Sequence, residues 1–191
     1  MHTPLICKLA ADIKKPIIIL DLETTGFVKP GVVEIACFKA KPDGQVSYKS
    51  TLVNPERPID ARATAVHGIS HKDVAPHKPM SAHLDFIARC YAEGIMSGFN
   101  VIGYDLRVLR ENAEHYGHAG LGQALALDVR DLWKSISGSS KGKLVDIAQH
   151  YQVEVKDAHR ALGDTLMTAK VLEAMLQQHG LAFAKSAIRS A

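Results

Sequence analysis

Residues 17–26, which read IIILDLETTG, constrain the fold of this chain more than any other segment. Four branched aliphatic residues open the segment, whereas a strand with one exposed face would alternate apolar and polar residues. We therefore predict a strand that is buried on both faces. Asp21 and Glu23 lie two positions apart at its end, so their side chains project from the same face.

Two carboxylates on one face repel each other unless a cation lies between them. At an effective dielectric constant of about 20, like charges about 4 Å apart repel by roughly 4 kcal/mol. A divalent metal ion removes that repulsion, and carboxylate oxygens favour Mg²⁺ or Mn²⁺. Taken alone, however, the pair is explained at least as well by a strand that runs into a solvated polar turn. The rest of the chain has to decide.

The composition is that of an ordinary globular protein. Of the 191 residues, 47% are hydrophobic and 23% are charged, which is sufficient for one domain with its own core. We expect a single domain over residues 1–191, with its core from about 17 to 178 and a short extension at each end. The formal net charge of +3 permits nucleic-acid binding without requiring it.

The cysteines and the first residues bear on the compartment. Cys7, Cys37 and Cys90 are scattered and lack a C-x-x-C spacing, which fits a reducing environment and argues against a zinc knuckle or a disulfide framework. The first 15 residues have only short apolar runs among charged residues, so we expect neither a signal peptide nor a membrane anchor. A cytoplasmic protein without a membrane partner is expected.

Hydrophobic periodicity predicts an α/β pattern. Apolar runs between turn residues predict five strands, over 17–20, 32–38, 45–53, 95–99 and 124–129. Helical spacing predicts helices over 81–91, 105–116, 144–151 and from about 160 to 180. Glu34, inside the second strand, is interpreted as a structural residue. The segment 137–143 reads as a Ser/Gly/Lys loop, either a solvated connection or one that presents Lys141 and Lys143 to phosphates.

Two more carboxylates stand at predicted helix starts. Asp105 begins one helix and Asp164 lies near the start of the last, where an acid is also explained by capping and by the helix dipole. His159 precedes Asp164 by five positions, and in a continuous helix the two side chains would point about 140° apart. They share a site only if His159 precedes the helix or lies in its first turn, as a boundary at Asp157 or Ala158 would allow.

The joint pattern of Asp-x-Glu, a distant Asp and His-x₄-Asp resembles the DEDDh group of 3′–5′ exonucleases, the DnaQ-like branch of the ribonuclease H-like superfamily. The segments DLETTG, GFNVIGYD and AHRALGD resemble its three motifs in order and spacing, and the resemblance covers about residues 17–176. It implies a ribonuclease H-like α/β fold in which a central mixed five-stranded sheet is flanked by helices.

The resemblance implies a role for each of five side chains. Asp21, Glu23, Asp105 and Asp164 would bind two divalent metal ions, Mg²⁺ or Mn²⁺. His159 would act as the general base. Together these five residues form the predicted catalytic set.

Predicted substrate contacts follow from the same resemblance. His67, which alone would be read as an ordinary loop histidine, matches a family position, and Phe27 is an alternative to Leu22 for packing on the base. The sequence departs from the family pattern at Phe99, where a histidine is common, and at Arg62, near which an acidic residue is thought to touch substrate. The predicted substrate-binding residues are Leu22, Thr24, Thr25, Gly26, His67 and Asn100.

The activity implied is 3′–5′ exonucleolytic hydrolysis of single-stranded nucleic acid, with release of nucleoside 5′-monophosphates. The two threonines of DLETTG resemble those of DNA-directed members of the family more than the sequence of oligoribonuclease, which implies DNA rather than RNA 3′ ends. An RNA-trimming exoribonuclease of the same family is an alternative. The resemblance also leaves room for a polymerase or repair partner on another chain and for a homodimer.

Proteins of two other classes share part of this pattern. A non-catalytic nucleic-acid-binding or polymerase-associated module would typically have lost a metal-binding acid, and none is missing. A haloacid dehalogenase-like phosphatase has D-x-D-x-T, whereas Glu23 occupies the second acidic position here, and His159 with Asp164 has no role in that scheme. The exonuclease interpretation accounts for more of the sequence than either.

Overall fold

The computed structural model describes residues 3–155 and 159–191, and a central mixed sheet organises them. The sheet has the strand order β3-β2-β1-β4-β5-β6. The first strand is antiparallel to the second and parallel to the fourth, and the fourth is parallel to the fifth. The strands are β1 Ile17–Thr24, β2 Val32–Ala40, β3 Val46–Leu52, β4 Ile95–Gly98, β5 Leu125–Asp128 and β6 Arg189–Ser190.

Helices cover both faces of this sheet, so the predicted α/β class and the mixed sheet are confirmed. The helix predicted over 81–91 begins as a 3₁₀ turn, Met80–His83, and continues as α4. The helices are α1 Leu5–Ile13, α2 Ala61–His67, α3 His71–Val74, α4 Leu84–Glu93, α5 Asp105–His115, α6 Val129–Ser137, α7 Leu144–His150, α8 Ala161–His179 and α9 Leu181–Ser186.

The sheet has one strand more than predicted. Strand β6 pairs antiparallel with β5, and Ala124 and Ala191 extend the pairing by exchanging two backbone hydrogen bonds of 2.9 Å. A strand of two residues is too short for an alternating pattern to be visible in a sequence. The prediction of five strands was therefore wrong by this edge strand.

Alternate residues of β1 enter two separate cores. Ile17 and Ile19 pack with α1 and α8 on one face, whereas Ile18 and Leu20 pack with α4 and α5 on the other. None of the four is more than 2% exposed, so the predicted strand with two buried faces is confirmed. The alternation continues into the acids, so Asp21 and Glu23 project from the face that α8 covers.

The segment before β1 is part of the core rather than an extension. Helix α1 buries its apolar side against α8, and the carboxylate of Glu173 accepts hydrogen bonds from the amides of Leu5 at 2.6 Å and Ile6 at 3.0 Å. Ala184 in α9 is also buried. The core thus extends beyond the predicted limits of 17 and 178. Among the helices of the described ranges, none has the length and apolarity needed to cross a bilayer.

Helix α8 begins at Ala161, after Arg160 and His159. The predicted boundary residues, Asp157 and Ala158, lie outside the described residues. His159 precedes the helix, which satisfies the condition under which it can share a site with Asp164.

Candidate active site

Three carboxylates meet at the end of β1. Oxygen atoms of Asp21, Glu23 and Asp164 all lie within 4.8 Å of one another. Asp164 is in the first turn of α8, which packs across β1 and β2. The pairing register with β2 shifts between Glu23 and Thr24, an irregularity of the kind that redirects side chains next to active sites.

Asp105 is the fourth acid, at the start of α5. It is 4% exposed, and the backbone amide of Leu22 hydrogen-bonds to its carboxylate. That amide belongs to the strand carrying Asp21 and Glu23, so α5 is attached to the end of β1 by the predicted metal-binding acid itself. The structure therefore brings all four predicted metal-binding acids to one place, three in a tight cluster and Asp105 beside them.

Gly98 permits this arrangement. It ends β4, and a Cβ atom at this position would lie 2.6 Å from the carbonyl oxygen of Leu20 and 2.9 Å from the Cβ of Val101. Since real Cβ atoms do not approach a backbone oxygen so closely, only glycine lets the end of β4 lie against β1. The chain then turns directly into α5 and Asp105.

Burial and mutual repulsion make Asp21 hard to ionise in the absence of a cation. Burial raises its pKa well above the ordinary value, and the charges of Asp105, Asp164 and Glu23 raise it further. Burial likewise raises the pKa of Asp105 well above its usual range, although backbone amides oppose the shift. Hard oxygen donors that repel one another in this way fit a divalent cation such as Mg²⁺ or Mn²⁺.

The pKa values of the other two acids, Glu23 and Asp164, are also shifted by neighbouring residues. Burial raises the pKa of Glu23 to about 7; the charges of Asp164 and Glu34 add to this shift, and the nearby Arg160 opposes it. Burial also raises the pKa of Asp164, while a hydrogen bond from the backbone amide of His159, and the proximity of its imidazole, lower it. The residues before α8 therefore supply positive potential at the edge of the acidic cluster.

We expect the metal-free protein to lose stability as the pH rises from about 4.5 through about 7. In the unfolded chain Glu23 releases its proton near the ordinary value of 4.5, whereas the folded protein holds it to about 7, so protonation favours folding and this contribution disappears above pH 7. A bound divalent cation replaces the proton. Thermal unfolding at pH 5 and pH 8, with chelator or with Mg²⁺, measures this loss of stability. A change of about 1 kcal/mol in the free energy of unfolding shifts the melting temperature by about 2–4 °C.

Paired variants separate this effect from general electrostatics. Asp21→Asn removes one repelling charge, so we expect a higher melting temperature in chelator at pH 8 and no further rise with Mg²⁺. Asp85→Asn, a carboxylate 89% exposed beside His118, should behave as the wild type does. A full Mg²⁺-dependent rise in the Asp21→Asn variant would contradict a cation site at the cluster.

His159 has an unusual backbone conformation. Its φ of +64° is in the left-handed region, where a residue with a Cβ is typically strained by about 1–3 kcal/mol. Its side chain is exposed, and its backbone amide hydrogen-bonds to the carboxylate of Asp164. The predicted general base is therefore beside the cluster and on the side open to solvent.

Sequence reasoning set Glu34 aside as structural, and the structure places it at the site. It lies directly opposite Glu23 in the pairing of β1 with β2, is 2% exposed, and binds the guanidinium of Arg160. A lone acid in the otherwise apolar run VVEIA was the available signal.

A cleft of about 1050 Å³ begins at Glu23 and leads away from the acids. At its rim, Phe27 and Val28 are 89% and 88% exposed, the largest exposures among the large hydrophobic side chains that the structure describes. Five of the six predicted substrate-binding residues line this cleft, namely Leu22, Thr24, Thr25, Gly26 and His67.

His67 has both ring nitrogens engaged by the backbone. Its Nδ1 accepts from the amide of Ile69 at 3.0 Å, so Nε2 carries the proton and donates to the carbonyl oxygen of Thr24 at 3.2 Å. Burial lowers its pKa, which keeps the ring neutral. His67 therefore ties α2 to the end of β1, and only its carbon edges are available to a ligand in the cleft.

Asn100 lies in the turn after β4 and is absent from the residues that line the cleft. Its backbone amide donates to the carboxylate of Asp128 at 3.0 Å, and its side-chain Oδ1 accepts from the guanidinium of Arg130 at 3.2 Å. These contacts hold the turn that leads to Asp105. Asn100 was predicted to contact substrate; its observed contacts give it a structural role as the alternative.

Tyr104 was missed by sequence reasoning. It directly precedes Asp105, lines the cleft, and its hydroxyl lies 2.8 Å from the Oγ1 of Thr24. The guanidinium of Arg107 lies over its ring, 5.7 Å from the centroid. An aromatic residue adjacent to a predicted metal-binding acid was the signal in the sequence.

The loop that carries Phe27 is held at both ends. Thr25 donates its amide to the carbonyl oxygen of Gly31 at 2.8 Å and accepts from the amide of Gly31 at 2.9 Å. Arg57 donates to the carbonyl oxygen of Lys29 at 2.9 Å. These bonds close the loop on either side of the exposed rim residues Phe27 and Val28.

Arg62 also lies on the cleft, with its side chain 92% exposed. It pairs with Asp60 at 3.0 Å, and Asp60 caps α2 by accepting from the Arg62 amide. An acid is thus present two positions before the residue that departs from the family pattern. Lys141 and Lys143 are exposed but do not line the cleft.

A family model described as Exonuclease, RNase T, matches residues 18–172. The chain is 32% identical over 171 residues to a DNA polymerase III subunit epsilon-like protein of Rhodobacter capsulatus, covering 85% of this chain and 24% of that protein. It is 33% identical over 172 residues to an uncharacterized exonuclease, CP81, of Escherichia phage 186, covering 83% and 87%.

Solved structures have the same fold. Exonuclease X in complex with 5′ overhanging duplex DNA is 28% identical, with a TM-score of 0.68 over 86% of this chain and 93% of that one. Exonuclease I of E. coli, in complex with a dT13 oligonucleotide, has a TM-score of 0.71 over 88% of this chain and 42% of that one. Its sequence is 14% identical, so this similarity supports the fold alone.

Proposed function

The chain belongs to the RNase T exonuclease family, in its DnaQ-like group, and from this we propose that it hydrolyses the terminal phosphodiester at the 3′ end of single-stranded DNA. The product would be a nucleoside 5′-monophosphate. The observation that carries the proposal is the meeting of Asp21, Glu23 and Asp164 within 4.8 Å at the head of a cleft.

Four acids would hold two divalent ions. Asp21, Glu23 and Asp164 form one site, and Asp21 with Asp105 forms the second, so Asp21 would contact both. When bound, such ions lower the pKa of a water molecule and stabilise charge on the attacking and leaving oxygens. The buried acids contribute fixed positions that do not need to reorganise during the reaction.

His159 would take the proton from the attacking water. A neutral imidazole near pH 7 is suited to this task, and the exposed position of His159 beside Asp164 lets its ring exchange that proton with solvent. The hydroxide attacks the terminal phosphorus, the bond from phosphorus to the 3′ oxygen of the penultimate nucleotide breaks, and that oxygen takes a proton from water to leave a 3′-hydroxyl.

The cleft would bind the terminal nucleotide. Thr24, Thr25 and Gly26 would contact its sugar, and Leu22 or the exposed ring of Phe27 would pack on its base. Stacking of a base on an aromatic side chain is worth about 1–3 kcal/mol and does not depend on sequence. These contacts suit a nuclease that accepts any 3′-terminal base.

DNA as substrate and a polymerase as partner are supported by the relatives. The structure of exonuclease X holds DNA, and the Rhodobacter relative is described as epsilon-like. This chain spans about a quarter of the length of that relative, so any polymerase or repair partner, and equally a homodimer, is part of the proposal.

One gel assay tests the proposal. With Mg²⁺ or Mn²⁺, we expect 5′-labelled single-stranded DNA to shorten in steps and 3′-labelled DNA to release labelled mononucleotide immediately. Chelator, or the Asp21→Asn substitution, should stop both.

The same gel decides between the alternatives. RNA degraded faster than DNA would favour the exoribonuclease. Release of label first from the 5′ end would refute the proposed polarity. Retained binding of DNA with no cleavage under either metal would favour the non-catalytic module.

A further inference from the structure

An ion pair between the buried carboxylate of Glu34 and the half-exposed guanidinium of Arg160 joins β2 to the residues before α8. The carboxylate of Glu34 accepts from the guanidinium of Arg160 through two bonds, Nε at 3.1 Å and Nη2 at 3.0 Å, and from the amide of Ala161 at 3.2 Å. The Glu34 side chain is 3% exposed. Both of its oxygens are therefore occupied by residues 126 and 127 positions away in the chain.

The position of this pair relates it to the candidate active site. Glu34 is directly opposite Glu23 in the strand pairing. Arg160 directly follows His159, and Asp164 lies one turn further along α8. The Glu34–Arg160 pair thus connects the partner strand of the metal-binding strand to the segment that supplies the proposed base.

The geometry of the pair is specific. A bidentate bond between a guanidinium and a carboxylate fixes both distance and orientation, which the single point charge of a lysine does not. Only the Glu34 side of this pair is buried, and an ion pair with a desolvated carboxylate is often no more stabilising than apolar side chains of the same volume, so stability alone is a weak explanation for it. A role in fixing the neighbouring residue accounts for it, because His159 has a φ of +64°, a backbone conformation that persists only where the surrounding contacts hold it.

We propose that Glu34 and Arg160 are positioning residues for hydrolysis, which hold His159 at the acidic cluster. The inference rests on the proposed function, in which His159 is the general base. Neither residue needs to touch substrate. The pair acts through His159, and this gives it a kinetic signature that a purely structural pair would lack.

The test is a double-mutant cycle between Arg160 and His159, measured as steady-state cleavage of 5′-labelled single-stranded DNA. Arg160→Met should lower kcat by about 10–100-fold, as expected for a catalytic group displaced by about 1 Å, with KM changed by less than about threefold. Arg160→Lys should recover only part of the rate. In a His159→Ala background, Arg160→Met should lower the rate by less than about threefold more, because the positioned group is already gone.

Folding is controlled separately, because Arg160→Met leaves the charge of Glu34 buried without this partner. The double variant Glu34→Gln with Arg160→Met removes that charge, and it should fold and still show the loss in kcat. Lys185→Met, which breaks the half-exposed pair with Asp12 at 2.8 Å, should leave the rate unchanged.

The outcomes separate the two proposals. A wild-type protein that cleaves no nucleic acid would overturn the proposed function. An active wild type whose rate is unchanged by Arg160→Met would overturn the positioning role alone. So would a full additional loss in the His159→Ala background, or a raised KM with unchanged kcat, since these would mean that Arg160 acts elsewhere or binds substrate directly.

Discussion

Replacing Asp21 by Asn is expected to lower the rate of hydrolysis by about 10³-fold or more, the upper range for loss of a single group that stabilises charge in the transition state. Asp21 is the acid assigned to both metal sites, and the three other acids of the site all act on its pKa. Asparagine has nearly the same shape, so the substitution removes charge without leaving a cavity. Single-turnover cleavage of 5′-labelled single-stranded DNA with saturating Mg²⁺ or Mn²⁺ measures the loss.

Asp164→Asn should have the same effect, because its oxygen atoms complete the cluster with Asp21 and Glu23. Asp85→Asn serves as the matched control for an acid-to-amide change on the surface. Both active-site variants should remain folded, and in chelator at pH 8 they should unfold at a temperature no lower than that of the wild type. Turnover within a fewfold of the wild type in either variant would exclude the proposed mechanism.

The parts of this site that could be predicted from the sequence depend on local periodicity. The run from Ile17 to Leu20 shows burial on both faces of a strand, and the spacing of Asp21 and Glu23 places both carboxylates on one face, because strand side chains alternate regardless of the rest of the fold. The starts of α5 and α8 also lie within a few residues of the predicted positions. Asp105 and Asp164 are therefore near helix starts, as predicted, and both helices begin beside the end of β1.

The parts that could not be predicted depend on contacts between distant segments. Nothing within a few residues of Glu34 indicates that it binds Arg160, 126 positions later. The bonds of His67 to the backbone of Thr24 and Ile69 likewise arise only when α2 lies against β1. In each case the partner of a polar group is set by packing, and a pattern in a short window carries no information about it.

His159→Ala is expected to lower the rate by about 10²–10⁴-fold while leaving metal binding intact, which is the usual contribution of a general base. The ring is exposed and is not one of the clustered metal-binding acids, so its removal should change neither the fold nor the cation site. The rate is measured on the same DNA substrate. The Mg²⁺-dependent rise in melting temperature reports on the metal site in parallel.

Comparison of His159→Ala with Asp21→Asn distinguishes loss of the general base from loss of the metal site. Both variants should be slow, but only His159→Ala should keep the stabilisation by Mg²⁺, because a base acts on the water and a carboxylate acts on the cation. His77→Ala removes an exposed histidine that does not line the cleft, and it should match the wild type in both measurements. If His159→Ala retained a rate within a fewfold of the wild type, the base would have to be another group. If it lost the Mg²⁺ response, His159 would belong to the metal site.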